Sequence, residues 1–307
     1  MRNRSVGALV ILSLAAALSG VTGVAGARVD AGPKREEPIT VASFDFTESR
    51  LLAEIYAQAL ERSGLRVRRA FGLGPRELVA PALREGLVDV VPEYAGTAVQ
   101  FLSVGRAHPE ADAAVTHAAL AHALQGTVAQ ALAPAPAQDA NAFVVRREVA
   151  QRLGLTRMSD LRGVARQLTF GGPPECATRP LCLEGLQKVY GIQFAEVVPL
   201  DAGGRLTHQA LDSGIVDVAL LFSTDPAVGA GDLVELVDDR ALQPAENVTP
   251  IVRRDAVDRS GTRLVAALDA VSGRLDTDTL RGLNAGVDAT GSIRSTATRW
   301  LDDEQLP

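Results

Sequence analysis

The chain is poor in several residue types, and these shortages argue against some functions. Aromatic residues make up 4% of its 307 positions, and it has 1 tryptophan and 2 cysteines. Positive charge is not in excess, because the formal net charge is −6, which argues against a nucleic-acid-binding protein. The two cysteines form no C-x-x-C redox motif, and there is no second pair for a zinc site. We therefore expect no nucleic acid, metal or cofactor to be bound.

Recognisable catalytic motifs are missing as well. The sequence has no Gly-x-Ser-x-Gly, and His117 and His122 miss the i,i+4 spacing of a helical metal pair. The glycine turns Gly72-Leu73-Gly74 and Gly203-Gly204 lack the lysine of a phosphate-binding loop, so we interpret them as turns into helices. The chain is therefore not expected to be an enzyme.

Apolar runs long enough to span a membrane are missing after the N-terminal region, and that region is typical of an export signal. Residues 1–27 have a short basic start, an apolar core at 6–18 and a small-residue cleavage site, Ala25-Gly26-Ala27. Val21 stands where a bacterial lipoprotein would carry its lipidated cysteine. We expect a free exported bacterial protein, periplasmic or associated with the cell envelope, with residues 28–37 as a tether.

What is present is apolar and repetitive. Apolar residues make up 47% of the chain, and its length suits two domains. Residues 82–90 and 210–218 follow one template: a helix end, a glycine stop and a short buried strand. These strands lead to Tyr94 and Phe222. Because ligands bind beyond the carboxyl ends of strands in α/β sheets, the repeat predicts two similar domains facing a cleft.

Each half has the pattern of a β-α-β-α-β unit, which implies a mostly parallel sheet flanked by helices. The sequence also predicts one long helix over residues 111–132, where alanine is abundant. Two late strands, at residues 233–237 and 247–252, are expected to return to the first domain.

The chain is predicted to cross between the domains twice, near residues 137–141 and 222–226. Domain I then comprises residues 38–137 and 223–307, and domain II comprises residues 138–222. Two crossings form a hinge, the layout of a protein that closes on a ligand.

The two cysteines, Cys176 and Cys182, lie in one loop rich in proline and glycine. In an exported protein a local disulfide is the natural interpretation, and it would fix the shape of residues 171–183. Two free thiols are the alternative.

Four of the few aromatic residues fall at the carboxyl ends of predicted strands: Phe44, Tyr94, Phe170 and Phe222. A cluster of rings can hold a quaternary ammonium group against their negative faces. It can equally stack on a flat apolar or phenolic ligand. The rings alone leave both ligand classes open.

Several motifs resemble those of the osmoprotectant-binding proteins of ABC importers, which bind glycine betaine, choline, carnitine or proline betaine. They include Ser43-Phe44-Asp45-Phe46-Thr47-Glu48-Ser49, Pro92-Glu93-Tyr94-Ala95-Gly96-Thr97, Asp201-Ala202-Gly203-Gly204, Phe222-Ser223-Thr224-Asp225 and Gln243-Pro244-Ala245-Glu246-Asn247. The resemblance implies an α/β, two-domain periplasmic-binding-protein fold of type II. It also implies a ligand in the hinge cleft and delivery to a membrane permease and its ATPase.

The resemblance also implies roles for single residues. Tyr94 matches a cage tyrosine and Thr97 the polar contact beside it. Phe222 takes the place of a second cage tyrosine, and Phe44 that of a lysine that helps to hold a betaine carboxylate. Arg179 corresponds to a carboxylate-binding arginine. The two phenylalanines make the pocket more apolar, so choline or a phenolic compound becomes an alternative to glycine betaine.

The candidate ligand-binding residues are Ser43, Phe44, Thr47, Tyr94, Thr97, Asn141, Phe170, Arg179, Phe222, Ser223 and Thr224. The predicted function is capture of a quaternary amine by a monomeric exported binding protein. The alternatives are the same fold binding a flat aromatic, phenolic or sugar-like ligand, and a ligand-sensing domain.

Overall fold

The structure is a computed structural model that describes residues 37–104, 110–228 and 231–307. The export signal predicted at 1–27 lies outside the described residues, as does nearly all of the tether predicted at 28–37. None of the described helices combines the length and the apolar character needed to cross a membrane.

Short, mostly apolar segments form the strands. In chain order the described strands are β1 (Ile39–Ala42), β2 (Val67–Ala70), β3 (Val90–Tyr94), β4 (Ala129–Ala131), β5 (Asn141–Arg146), β6 (Thr169–Gly172), β7 (Glu196–Pro199), β8 (Val218–Phe222), β9 (Leu233–Glu235) and β10 (Val248–Arg253).

The helices that cover the sheets are α1 (Thr47–Arg62), α2 (Arg76–Arg84), α3 (Ala95–Leu102), α4 (Ala113–Ala123), α5 (Arg147–Leu153), α6 (Leu183–Gly185), α7 (Arg205–Asp212), α8 (Arg254–Ser260), α9 (Thr262–Ser272), α10 (Thr277–Thr290) and α11 (Ile293–Asp303). α6 continues as a π-type turn, Leu186–Tyr190.

Lobe I is built on a five-stranded sheet with the order β2-β1-β3-β10-β4. β1 is parallel to β2 and β3, whereas β10 is antiparallel to β3 and β4. α1 lies deep in this lobe, and its Tyr56 hydroxyl is 2.9 Å from Ser272 Oγ on α9. The buried apolar side chains of sheet and helices form one core.

Lobe II is built on a second five-stranded sheet with the order β7-β6-β8-β5-β9. β6 is parallel to β7 and β8, whereas β5 is antiparallel to β8 and β9. Phe143 and Phe170 fill its core, with their ring centroids 6.2 Å apart. Two mixed sheets flanked by helices confirm the predicted α/β fold class.

The long helix predicted over residues 111–132 is wrong. α4 ends at Ala123, the chain turns at Gly126 with φ 71°, and Ala129–Ala131 forms β4. Alanine favours helix locally, but these residues pair with the edge of β10 instead. The ladder formed with a distant strand therefore overrides the local preference.

The second predicted crossing is also misplaced. β9 pairs with β5 rather than with the lobe I sheet, and Leu236 and Leu242 pack in the lobe II core. The expectation that this strand returns to the first domain, and with it a crossing at 222–226, is therefore wrong. The apolar pattern of β9 suits either sheet, so it did not say which one the strand joins.

The observed crossings pair with each other. Gln138 and Asn247 form an antiparallel bridge, and the Asp139 amide donates to the Glu246 carbonyl at 3.0 Å. We propose that the first domain boundary lies at residues 137–141, as the sequence predicts. We propose that the second domain boundary lies near residue 247 rather than 222.

Candidate ligand-binding site

A cleft of about 1030 Å³ lies between the two lobes. Lobe I contributes the segment after β1 and the end of β3, and lobe II contributes the end of β8. The loop between β6 and α6, in which Cys176 and Cys182 form the predicted disulfide, supplies the rest of the lobe II wall. The cleft therefore lies at the carboxyl ends of parallel strands, the usual position of ligands in such sheets.

Four aromatic rings form a cluster in this cleft, and Phe46 is at its centre. The Phe46 centroid is 5.1 Å from that of Phe222 and 6.0 Å from those of Phe44 and Tyr94. Phe222 belongs to lobe II and the other three rings to lobe I, so the cluster joins the lobes. A cation is attracted to a ring face within about 6 Å of the centroid, and these spacings allow more than one ring to contribute.

The Gly203-Gly204 turn supports the Phe222 ring. Gly203 has φ 64°, and a Cβ there would lie 3.0 Å from the Phe222 ring, so glycine is required both by the backbone and by the ring. The Asp201 carboxylate accepts the amides of Leu206 and Thr207 at the start of α7, at 3.0 and 2.9 Å. These helix amides are thus used within the protein, as expected for a turn into a helix.

Tyr94 is held from behind by a buried carboxylate. Its hydroxyl donates to Glu48 Oε1 at 2.8 Å, and Glu48 is 5% exposed. Burial and the nearby Glu48 raise the pKa of the Tyr94 phenol well above its usual value, so the hydroxyl stays protonated and keeps donating. This bond fixes the ring position.

Arg76 supplies positive charge beside Phe44. Its guanidinium carbon lies 5.1 Å from the Phe44 ring centroid, and its Nε and one terminal nitrogen bond Glu93 at 2.9 and 2.8 Å. The guanidinium also donates to Thr97 Oγ1 at 2.9 Å. Arginine from α2 thus places a cation beside Phe44.

Glu246 lies at the floor of the cleft near the hinge. Its Oε2 accepts the Thr97 amide at 3.0 Å, and Oε1 is buried with no hydrogen-bond partner among the described residues. Burial raises the pKa of the Glu246 carboxyl to about 8. The group therefore holds its proton near neutral pH.

Arg179 reaches across the mouth of the cleft. It extends from the disulfide loop of lobe II and bonds Glu77 of α2 in lobe I at 2.8 Å. The pair is partly exposed, so by itself it contributes little to stability. Its position makes it a contact that forms when the lobes are close together.

The structure brings together six of the predicted site residues. Those that line the cleft are Phe44, Tyr94, Thr97, Asn141, Arg179 and Phe222. Asn141 also donates to the Leu181 carbonyl and to Gln243 Oε1, both at 3.1 Å, so it fastens the disulfide loop to the second crossing.

Five predicted residues do not line the cleft. Phe170 is fully buried in the lobe II core, and Thr47 is exposed at the start of α1. Ser43 accepts the Gly72 amide at 2.8 Å and so supports the turn before α2. Ser223 and Thr224 lie at the hinge, where Thr224 is buried. Phe170 is predicted at the carboxyl end of a strand, but β6 continues to Gly172 and the Phe170 ring packs in the lobe II core.

Sequence reasoning missed Phe46 and the buried acids. Phe46 lies two residues after Phe44 in the same motif, and this position was the feature of the sequence that could have indicated a role in the ring cluster. Glu48 is in the first turn of α1, where an acidic residue is common for the helix dipole alone, so nothing distinguished it. Among the described residues no group of three or more His, Cys, Asp or Glu side chains is placed to hold a metal ion.

Two lobes, two paired crossings and a cleft at the strand ends define a binding protein of the type II periplasmic class, and solved structures share this fold. A glycine betaine/carnitine/choline ABC transporter structure aligns with a TM-score of 0.68 at 23% identity, covering 87% of this chain and 99% of that one. A choline-binding protein in complex with choline aligns with a TM-score of 0.67 at 16% identity, covering 89% and 90%.

The chain belongs to the family described as the substrate binding domain of ABC-type glycine betaine transport systems, whose model matches residues 37–303. It is 30% identical over 271 residues to the glycine betaine-binding protein YehZ of Escherichia coli, covering 83% of this chain and 86% of that protein. A glycine-betaine-binding protein of Pseudomonas aeruginosa is 29% identical over 269 residues, with 84% and 85% covered. An ergothioneine transport permease/ergothioneine binding protein of Helicobacter pylori is 23% identical, with 82% and 45% covered.

Proposed function

We propose that this chain is the exported, monomeric substrate-binding protein of an ABC importer and captures a quaternary amine of the choline or glycine betaine type. The observation that carries the proposal is the four-ring cluster in the interlobe cleft, centred on Phe46. The bound amine is then delivered to a membrane permease and its ATPase. The relatives' reported ligands point to the same class.

Charge in the cleft suits a cationic head group. The Glu48 and Asp139 carboxyls are buried behind the rings, whereas the nearby Glu246 carboxyl is protonated near neutral pH and adds no negative charge. A quaternary ammonium has no hydrogen to donate, so it gains from ring faces and nearby negative charge rather than from a directed bond. The rings exclude water and strengthen that attraction.

The opposite end of a zwitterion would meet arginine. Arg76 lies over Phe44, and Arg179 reaches the cleft from lobe II. Both are paired, with Glu93 and Glu77 respectively, so a carboxylate has to share these cations with acids already in place. This supports choline as a ligand no less than glycine betaine.

A flat ligand is a second candidate. Phe46 and Phe222 stack with an interplanar angle of 29° across the lobes, and a planar ring can insert or pack along such a pair. Ergothioneine, named for one relative, combines a quaternary amine with a flat ring. Comparing its affinity with that of choline shows whether the cleft prefers a ligand that also has a flat ring.

Calorimetric titration of the purified protein with choline, glycine betaine, carnitine and ergothioneine tests the proposal. Phe222→Ala should raise the Kd of a bound amine about tenfold, the loss of one ring face. Phe194→Ala is the matched control, since Phe194 is also half-buried and its ring centroid lies 5.1 Å from that of Phe170, away from the cleft. Absence of binding heat with all four compounds would contradict the osmolyte proposal, and equal losses in both variants would contradict the site.

Export is tested separately by expressing the full chain in a bacterium and sequencing the N-terminus of the protein in the soluble envelope fraction. We expect it to begin after Ala27. A chain that keeps Met1 and stays in the cytosolic fraction would contradict export.

A further inference from the structure

Two buried carboxyl groups meet behind the ring cluster. Glu48 at the start of α1 is 5% exposed, and Asp139 on the first crossing is 4% exposed. Both contact the hydroxyl of Thr224, which follows β8 and links the hinge to lobe II. Glu48 also accepts from the Tyr94 hydroxyl at 2.8 Å and from the Asn284 amide at 2.6 Å. The cluster thus connects a cage ring, the hinge and both lobes.

The hydrogen atoms in this cluster do not suffice if both acids are ionised. Thr224 Oγ1 lies at hydrogen-bond distance from Glu48 Oε2 and, at 2.8 Å, from Asp139 Oδ1. A hydroxyl has one hydrogen, and an ionised carboxylate has none. Two contacts among three oxygens therefore need a second hydrogen, and one of the two carboxyl groups has to supply it. Asp139 Oδ2 is also buried without a partner among the described residues, consistent with a carboxyl group that carries a proton.

The surroundings offer no cation that would allow both charges. From β3 the facing group is the Tyr94 hydroxyl, and α10 contributes the Asn284 amide. Arg281, also on α10, bonds the Ser223 carbonyl and Asp278, and no described ion pair reaches Glu48 or Asp139. Burial, and then the neighbouring Glu48, raise the pKa of Asp139 well above its usual value.

We propose that Glu48 and Asp139 share one proton and act together as positioning residues, so that ligand capture is linked to pH. The inference rests on the proposed function, because the ring they position is part of the proposed cage. With one proton the pair holds Tyr94 and Thr224 at once. Without it, two like charges face each other in a buried site and separate.

Ligand binding weakens as the pH rises, because the assembled cluster holds its proton more tightly than the separated carboxyls do. The assembled cluster binds a proton that the hydrated, separated carboxyls release at their ordinary pKa near 4. Closure is therefore fully favoured below that value and weakens as pH rises through the pKa of the assembled pair. Since one proton is involved, the Kd of the ligand rises by at most about tenfold per pH unit within that window.

The test is calorimetric titration of choline between pH 5.5 and pH 9, in buffers with different heats of ionisation. For the unchanged protein we expect the Kd to rise with pH and up to one proton to be taken up on binding. Asp139→Asn carries its own amide hydrogens and cannot titrate, so its Kd should no longer change with pH in this way. Glu48→Gln should give the same loss of pH dependence.

A control and a ligand-independent measurement complete the design. Asp269 on α9 is half-buried, has a pKa raised by burial and does not line the cleft, so Asp269→Asn should keep the pH profile. In the infrared spectrum at pH 7 the protein should show protonated carboxyl bands, because Glu246 is also protonated there, and Asp139→Asn should remove a band that Glu246→Gln keeps. A pH profile unchanged in Asp139→Asn, or no such band, would overturn the proposal. If the band is present and none of choline, glycine betaine, carnitine and ergothioneine binds at any pH, the proton-sharing pair stands but its linkage to ligand capture is overturned together with the proposed function.

Discussion

Replacing Phe46 by leucine separates the ring's electrostatic contribution from its apolar one. Leucine keeps an apolar side chain of similar reach in the middle of the cluster but has no negative ring face. Phe46 has three ring neighbours, at 5.1, 6.0 and 6.0 Å, so a cation bound beside any of them is also close to Phe46. The substitution therefore removes one ring from the set that a bound ammonium contacts.

The size of the effect follows from the strength of one cation–ring contact. Such a contact contributes about 0.5–2 kcal/mol, more when it is desolvated. Because 1.4 kcal/mol corresponds to a tenfold change, Phe46→Leu should raise the Kd of choline by roughly 2- to 30-fold. Lost ring packing affects folding as well, at about 0.5–1.5 kcal/mol for each aromatic pair. Thermal unfolding of the variant checks that it remains folded at the titration temperature.

The assay compares choline with its uncharged isostere, in which a quaternary carbon replaces the nitrogen. Both compounds have the same shape, so lost apolar contact with Phe46→Leu weakens them equally. The cation should lose more, by the factor given above. Equal losses for the two compounds would refute the reasoning, because the ring would then act by shape and apolar contact alone.

Three further predictions follow from the site. Arg179→Gln breaks the bridge to Glu77, and such a partly exposed pair contributes at most about 1 kcal/mol. Ligand affinity should therefore fall by no more than about fivefold, with a smaller effect in high salt. A larger loss in calorimetry would mean that Arg179 binds the ligand directly. Gly203→Ala forces an alanine to adopt φ 64° and places its Cβ against the Phe222 ring, so the melting temperature and the ligand affinity should both fall. An unchanged Kd would show that the position of the ring is not critical. The pKa of the Glu246 carboxyl is raised to about 8, so its contribution to stability is complete below about pH 4.5 and is lost as the pH rises through 8. The melting temperature of Glu246→Gln should therefore depend less on pH than that of the unchanged protein. An equal dependence would contradict this.

Local patterns predicted much of the fold because they reflect local physics. The glycine stops and apolar strands of the repeated template appear as α2 with β3 and as α7 with β8. The ends of both strands face the cleft and carry Tyr94 and Phe222, as the position of ligands in α/β sheets implies. The local pairing of Cys176 with Cys182 also needed only short-range information.

Long-range pairing was harder to predict. The alanines of β4 favour helix in isolation, so the sequence predicts helix where a strand forms. The apolar pattern of β9 fits either sheet, so it does not predict which sheet the strand joins. Phe170 lies in the core because only the pairing of β6 with its neighbours decides which way its ring points.

The sequence by itself determined the class of the protein: two α/β lobes, strand-end aromatics, and motifs shared with a binding-protein family. Periodicity, glycine stops and short motifs are properties of neighbouring residues, so they can be read along the chain. Only the tertiary structure placed Phe46 at the centre of the rings and brought Glu48 against Asp139. These residues are far apart in the chain, and their neighbours in sequence do not distinguish them from surface residues. They meet because the two crossings bring the lobes together.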